Sequence, residues 1–396
     1  MAATRCINID WLEMYCYEPR EPRTPEYFER LGLSVSCRDY GTKHWTQVFT
    51  IKDEHEQEFM EVRRSPRHDH GEHHTILPDN ACTLRLVNRY CYYDTAAWIM
   101  SDFIFKHGYL IRRIFRLDIA LDLKVFDSGD KPESVIRRIV RHKYAKVYQS
   151  NRTVHGADHW NDCDDNSISW GKKKSMVVTR FYNKSLELAQ VKDKPWIRQA
   201  WYEAGLIDDP IAPIILDRSG KVVGDAVWRL EFQINSSARG WFVAEGDHKN
   251  DYVEHTLESY WNRPLLQQAF ACLCDHYFNF RIFEPGKTKY ECAPKILFKW
   301  TDEDRHYRLR NSLFQRTYDN TGSQALRWVA RLRAMFPNED VSKALDVVES
   351  KVRTIYKTEI GYEGRDPKID LYRAIAPDMT RGLSDEDVRD LFADVF

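Results

Sequence analysis

Arg180, Tyr182 and Lys184 alternate along a short apolar stretch, and their side chains suit attack on a phosphodiester. A phenol is a weak nucleophile, with an ordinary pKa of about 10. Cations on either side favour the phenolate and hold phosphate. Covalent attack on DNA by Tyr182 is therefore the first reading. Upstream stand Gly171, Lys172, Lys173, Lys174 and Ser175, a basic run that leads into Met176, Val177 and Val178. These lysines and the serine are candidate phosphate contacts.

Carboxylates come next. Alternate residues of a strand share a face. Arg116, Asp118, Ala120 and Asp122 therefore line one face, and Leu117, Ile119, Leu121 and Leu123 the other. Arg229 and Glu231 likewise share a face opposite Leu230 and Phe232. If these strands neighbour the tyrosine strand, one sheet face gathers Asp118, Asp122, Glu231 and Tyr182. Hard oxygen ligands of this kind suit Mg2+ or Mn2+, which would polarise a scissile phosphate. Arg116 and Arg229 would orient phosphate or the carboxylates. Glu187, just past the strand, is either a further ligand or a helix-surface acid. The competing reading is a solvated face of Arg–Asp and Arg–Glu pairs.

The elements that must position these groups follow from periodicity and turn signals. Strands are expected at Cys6–Tyr17, His44–Ile51, Glu58–Arg64, Cys82–Tyr92, Arg113–Phe126, Trp170–Asn183 and Val227–Ser236. Thr95–His107 has helical spacing. Asp130, Pro132 and Glu133 open another helix, with Asp130 as the N-cap, running to about Val147. It carries Arg137 and Arg141 on an outer face that suits DNA phosphates or plain solvent. Ser185 opens a helix, and helical patterns dominate from about His255. Mixed strands and helices argue α+β.

The segments Arg180-Phe181-Tyr182-Asn183-Lys184-Ser185-Leu186-Glu187, Arg116-Leu117-Asp118-Ile119-Ala120-Leu121-Asp122 and Arg229-Leu230-Glu231 resemble, in order and spacing, motifs of the Rep_trans-type replication initiation factors. Ile9-Asp10-Trp11-Leu12 resembles that family's opening strand, and the firm match covers roughly residues 110 to 235. One departure is Lys172, where the family often has Ser. The resemblance implies a Rep nuclease-like fold: a central, mostly antiparallel sheet with flanking helices, then a mainly helical C-terminal region. It implies sequence-specific DNA nicking and strand transfer through a 5′-phosphotyrosine, which starts rolling-circle replication or conjugative transfer of a plasmid, phage or integrative element. Origin DNA, single-stranded or hairpin, is then the partner, with a host- or element-encoded helicase and a homodimer as further expectations. The same resemblance places origin recognition near Tyr277–Arg281 and the basic Lys287 and Lys289, whose neighbouring aromatics serve equally as core.

Composition agrees with a soluble, cytoplasmic protein. The chain has 396 residues, 43% hydrophobic and 30% charged, without an apolar run of membrane-spanning length or a secretory leader. Nine cysteines without a Cys-x-x-Cys pair read as reduced thiols. Lys and Arg number 59 against 60 Asp and Glu overall, yet 17 against 10 between residues 101 and 185. That basic centre would steer a phosphate backbone to one place. The patch from His68 to His74 reads as loop rather than metal site, and so does the stretch Asn151–Asn166. A division into 1–250, catalytic, and 251–396, mainly helical, is expected. Two other classes stay open: a non-catalytic DNA-binding regulator on the same fold, and a structural protein with no DNA role.

Overall fold

The computed structural model describes residues 4–67, 77–146, 152–155, 166–172, 175–235, 242–244, 256–288, 290–301, 303–305 and 307–309. They lie in one compact unit, Met1–Arg310. The histidine patch and the part of the expected helical C-terminal region beyond residue 309 fall outside the described residues. No helix among the described residues is long and apolar enough to cross a membrane.

In chain order the first elements are β1 (Arg5–Tyr17), α1 (Pro25–Arg30), β2 (Val35–Cys37), β3 (Trp45–Lys52), β4 (Glu58–Pro66) and β5 (Ala81–Leu86). Then come α2 (Asn88–Cys91), α3 (Ala96–Lys106), β6 (Leu110–Leu123), α4 (Pro132–Val140), β7 (Tyr144–Lys146), β8 (Arg152–His155) and β9 (Ser167–Trp170). The last are β10 (Val177–Asn183), α5 (Lys184–Gln190), α6 (Pro195–Glu203), β11 (Trp228–Asn235), β12 (Phe242–Ala244), α7 (Arg263–Tyr277), β13 (Phe280–Ile282), β14 (Pro294–Lys295) and β15 (Tyr307–Leu309). The fold is α+β, with a large antiparallel sheet and flanking helices, as the sequence indicates.

Among the described residues, ten strands form one sheet in the order β2-β3-β4-β5-β1-β6-β11-β10-β9-β8. The order on either side of the β1–β6 seam is the same: long strand, then last, third, second and first strand of a meander. The two long strands also share an irregularity. Leu12 faces Leu117, and each strand carries an extra residue two positions earlier, Asp10 in β1 and Phe115 in β6. The sheet therefore has an approximate two-fold axis through the Leu12–Leu117 pair.

One sheet face is apolar because alternate residues are. Leu117, Ile119, Leu121, Leu230, Phe232, Ile234 and Phe181 are fully buried there. Phe181 meets Phe126, Trp228 and Phe278, and Phe232 meets Phe270 of α7. Val135, Ile136 and Ile139 of α4 join the same core.

Several boundaries differ from expectation. The Cys82–Tyr92 segment leaves the sheet at Leu86 and turns into α2, because Asn88 and its neighbours bond toward Asp10. The expected strand Trp170–Asn183 is two strands joined by a turn. Its turn is closed by the Ser175 backbone N–H on the Lys172 carbonyl and the Lys172 N–H on Ser175 Oγ. Helix α4 stops at Val140, and the chain returns as β7, pairing with β13. Its N-cap is Lys131, while Asp130 binds Ser128 and Lys295 instead. The described stretch after α7 is mostly strand and coil, with one short 3-10 helix at Glu303–Arg305.

Truncating Phe181 to Ala should cost about 3–5 kcal/mol, since the ring is sealed among three aromatics. Urea unfolding measures it, and a loss below about 1 kcal/mol would show that the core closes over the gap.

Candidate active site

Strands β6, β11 and β10 are hydrogen-bonded neighbours, so the alternation of each lands on one common face. Asp118 faces Gln233, Asp122 faces Arg229, Arg180 faces Glu231 and Tyr182 faces Arg229 in register. The sheet thus brings Arg116, Asp118, Asp122, Arg229, Glu231, Arg180 and Tyr182 together. A cleft of about 430 Å³ opens on this face. Asp118, Glu231, Arg116, Arg180, Tyr182, Lys184 and Glu187 line it, as do Asp10, Trp11, Asn88, Ser167 and Lys194.

The Tyr182 hydroxyl donates to Glu231 Oε2 at 2.9 Å. Arg180 holds the other oxygen, Oε1, at 2.5 Å and reaches Gln233 Oε1 with its second nitrogen. Lys184 Nζ lies 3.5 Å from the Tyr182 hydroxyl and pairs with Glu187. Asn183 ends β10 and also caps α5, its Oδ1 accepting from Leu186 N at 2.9 Å. That cap fixes where the strand stops, and so where Tyr182 and Lys184 stand.

The electrostatics correct one expectation. Burial, then the Glu231 carboxylate, pushes the Tyr182 phenol well above its ordinary value, and the Arg229 cation only partly offsets them. The cations around it do not leave a phenolate at neutral pH. Burial also lowers the Lys184 ammonium, with Arg229 adding to the shift. Asp118 is pushed up to about 7, first by burial and then by Glu231 beside it, against the pull of Arg116.

A second correction concerns Asp122 and Arg229. Arg229 has no exposed side-chain surface. Its Nε and Nη2 reach the two oxygens of Asp122 at 2.7 and 2.6 Å. Nη1 reaches Asp10 at 2.8 Å, and Nη2 also meets the Tyr92 hydroxyl at 2.8 Å. Trp201 of α6 donates to Asp122 as well, at 2.7 Å. Asp122 is thereby the counter-ion of a sealed guanidinium and, unlike Asp118 and Glu231, does not line the cleft, so it is not placed as a metal ligand there. Arg229 is sealed from DNA.

Among the described residues no group of three or more His, Cys, Asp or Glu stands ready to hold a metal ion. Asp118 and Glu231 do fit a hard cation as a pair. They border the cleft, and their mutual repulsion, visible in the raised Asp118, is what a divalent ion relieves. Mg2+ commonly takes one or two carboxylates, with water and substrate phosphate completing the shell. Glu187 borders the same cleft but is paired to Lys184.

The other expected contacts are scattered. Lys172 and Ser175 form the turn before β10, where Ser175 Oγ closes the turn. Arg137 is exposed on α4 and Arg141 at its C-cap, and α4 packs on the apolar face, away from Tyr182. Arg137 lines a separate pocket of about 240 Å³ with Asn183, Lys221 and Trp228. Lys287 binds Glu284 at 2.5 Å on an exposed loop. Tyr277, Phe278 and Phe280 are core residues. Lys173, Lys174 and Lys289 lie outside the described residues. Sequence reasoning missed Asp10 and Lys194 as parts of the cleft. Asp10 stood in the quoted opening strand, and only its bulge turns it toward Arg229.

No protein family's model and no curated protein matches the chain. Among solved structures it is similar to a rolling circle replication initiator protein from Geobacillus stearothermophilus, at 12% identity and a TM-score of 0.42. The likeness covers 74% of this chain and 93% of that one. At such distance it carries no residue role across.

Two outcomes are expected. Replacing Arg229 with Met leaves Asp122 and Asp10 uncompensated and should destabilise by about 3–5 kcal/mol at neutral pH. Chemical denaturation at pH 7 would show it, and a near-neutral change would mean the cluster does not hold the sheet together. Asp118 binds its proton up to about pH 7 when folded, but only to about pH 4 when unfolded. The unfolded state then holds fewer protons between those values, so stability falls as pH rises from about 4 to 7. Asp118→Asn should flatten that slope in metal-free buffer, and an unchanged profile would place the titration elsewhere.

Proposed function

We propose that the protein is a DNA strand transferase in which Tyr182 forms a 5′-phosphotyrosine, nicking origin DNA to initiate rolling-circle replication or conjugative transfer. The observation that carries this reading is the Tyr182–Glu231 hydrogen bond inside a cleft walled by Arg180, Lys184, Lys194 and Asp118. The order of the Arg116, Arg180 and Arg229 motifs supports it.

A raised phenol pKa demands a base in contact, and Glu231 Oε2 is in contact. As the Tyr182 oxygen bonds to phosphorus, its proton passes to Glu231. The bond from phosphorus to the 3′ oxygen breaks, and that oxygen takes a proton from solvent water to leave as a 3′-hydroxyl. Arg180 keeps Glu231 oriented, and Lys184 offers positive charge to the oxygens around phosphorus. Mg2+ or Mn2+ held by Asp118 and Glu231 would supply charge neutralisation at the phosphate. The reverse reaction, attack of a 3′-hydroxyl on the phosphotyrosine, joins strands.

A non-catalytic DNA-binding regulator is the second reading. The complete pairing of the cleft's acids with Arg116, Arg180, Arg229 and Lys184 favours it.

The two readings separate in one experiment. Labelled origin DNA is incubated with protein and Mg2+ or Mn2+, denatured, and resolved by gel, with peptide mapping of any adduct. Wild type should give an adduct at Tyr182, and Tyr182→Phe none, with binding retained. Glu231→Gln should slow formation at least about 100-fold, the usual scale of a lost general base. Binding without any adduct supports the regulator, and an adduct on Tyr202 would remove Tyr182 from the role.

A further inference from the structure

The approximate two-fold axis carries the Tyr182 half of the sheet onto the half built from β1 to β5. The paired registers then fix which residues correspond. Glu13 falls at the place of Asp118, and Arg63 at that of Arg180. Thr83 stands where Glu231 does. Ser65, in a left-handed conformation, stands where Tyr182 does. The first half therefore keeps a cation and an acid but has neither the phenol nor the base beside it. It cannot run the same chemistry.

Its charge balance is also more positive. Around Tyr182 the acids Asp10, Asp118, Asp122, Glu187 and Glu231 are matched in number by Arg116, Arg180, Lys184, Lys194 and Arg229. In the first half Arg38, Arg63 and Arg85 converge on Glu61 at 2.5, 2.7 and 2.6 Å. Arg63 also holds Glu13 at 3.0 Å. Aromatic rings of β1 set further guanidinium planes: Arg85 and Arg116 lie 4.5 and 4.4 Å from Trp11, and Arg112 lies 5.0 Å from Tyr17. Stacking of this kind pre-orders a guanidinium for phosphate. Trp11 and Arg116 also border the Tyr182 cleft, so the cationic surface continues from it.

Two backbone-binding surfaces related by a two-fold axis match the two-fold axis of base-paired DNA, whose strands run antiparallel. We propose that the β1–β5 half is a non-cleaving site for the phosphates of the opposite strand in a paired hairpin stem. This rests on the reading of the Tyr182 cleft as the site of the cleaved strand. One half then grips the strand to be cut and the other its complement, and only one strand is opened.

The test uses the full chain with Arg38→Gln and Arg112→Gln combined. Both arginines are exposed and stand away from the cleft, and Glu61 keeps Arg63 and Arg85. The probes are a hairpin oligonucleotide of arbitrary stem sequence and the same loop sequence without its stem. Affinity for the hairpin should fall roughly tenfold, and its salt slope should drop by about two. Affinity for the single strand should change less than about twofold. The combined Arg38→Lys and Arg112→Lys variant should restore the slope, which a mere folding defect would not allow. Equal losses on both probes, or none on the hairpin, would overturn the proposal. Adduct formation is scored separately. Its absence in wild type would remove the Tyr182 reading while the hairpin comparison still decides this one.

Discussion

The buried cation of Arg229 is the point on which the sheet depends. It lies in β11, yet its partners come from β6 in Asp122, from the β1 bulge in Asp10 and from the turn after α2 in Tyr92. Trp201 brings α6 to the same Asp122. A charge without exposed surface is tolerated only with such complete pairing. The arrangement specifies register, because sliding β11 by one residue would send Arg229 to the apolar face among Leu121 and Phe181. Every group of the cleft is placed by that register.

Strand alternation made most of this face legible. Arg116, Asp118 and Asp122 had to share a side, as did Arg229 with Glu231 and Arg180 with Tyr182, once their segments read as strands. Strand adjacency is a tertiary fact, and spacing alone does not contain it. The competing expectation of paired arginines and acids was equally well founded, and the face displays those pairs. Asp122 and Asp118 illustrate what pattern cannot separate. They sit four positions apart on one strand and each grips an arginine, yet Asp122 is sealed away with Arg229 while Asp118 borders the cleft.

Burial was harder to read. Cations near Tyr182 in sequence pointed to an acidic phenol, but Arg180 spends its charge on Glu231 and Lys184 on Glu187. What the phenol meets directly is a carboxylate. The two-fold likeness of the halves is also silent in the residues. Ser65 and Tyr182, or Thr83 and Glu231, share nothing chemically, and only the shared bulge and strand order relate them. A fold can keep a doubled framework while its side chains diverge, since the apolar alternation that builds each strand leaves the other face free to vary.

The position of Tyr182 between two paired neighbours has a mechanical meaning. Strand β10 is hydrogen-bonded to β9 on one edge and to β11 on the other. Tension applied at Tyr182 along the strand is shared by backbone bonds on both sides, loaded together in shear rather than peeled singly. Just beyond the tyrosine, the Asn183 cap turns the chain into α5, so the ring has little slack. A polymer tethered there would transmit its pull to the whole sheet, and the tether point would stay still while the polymer moves.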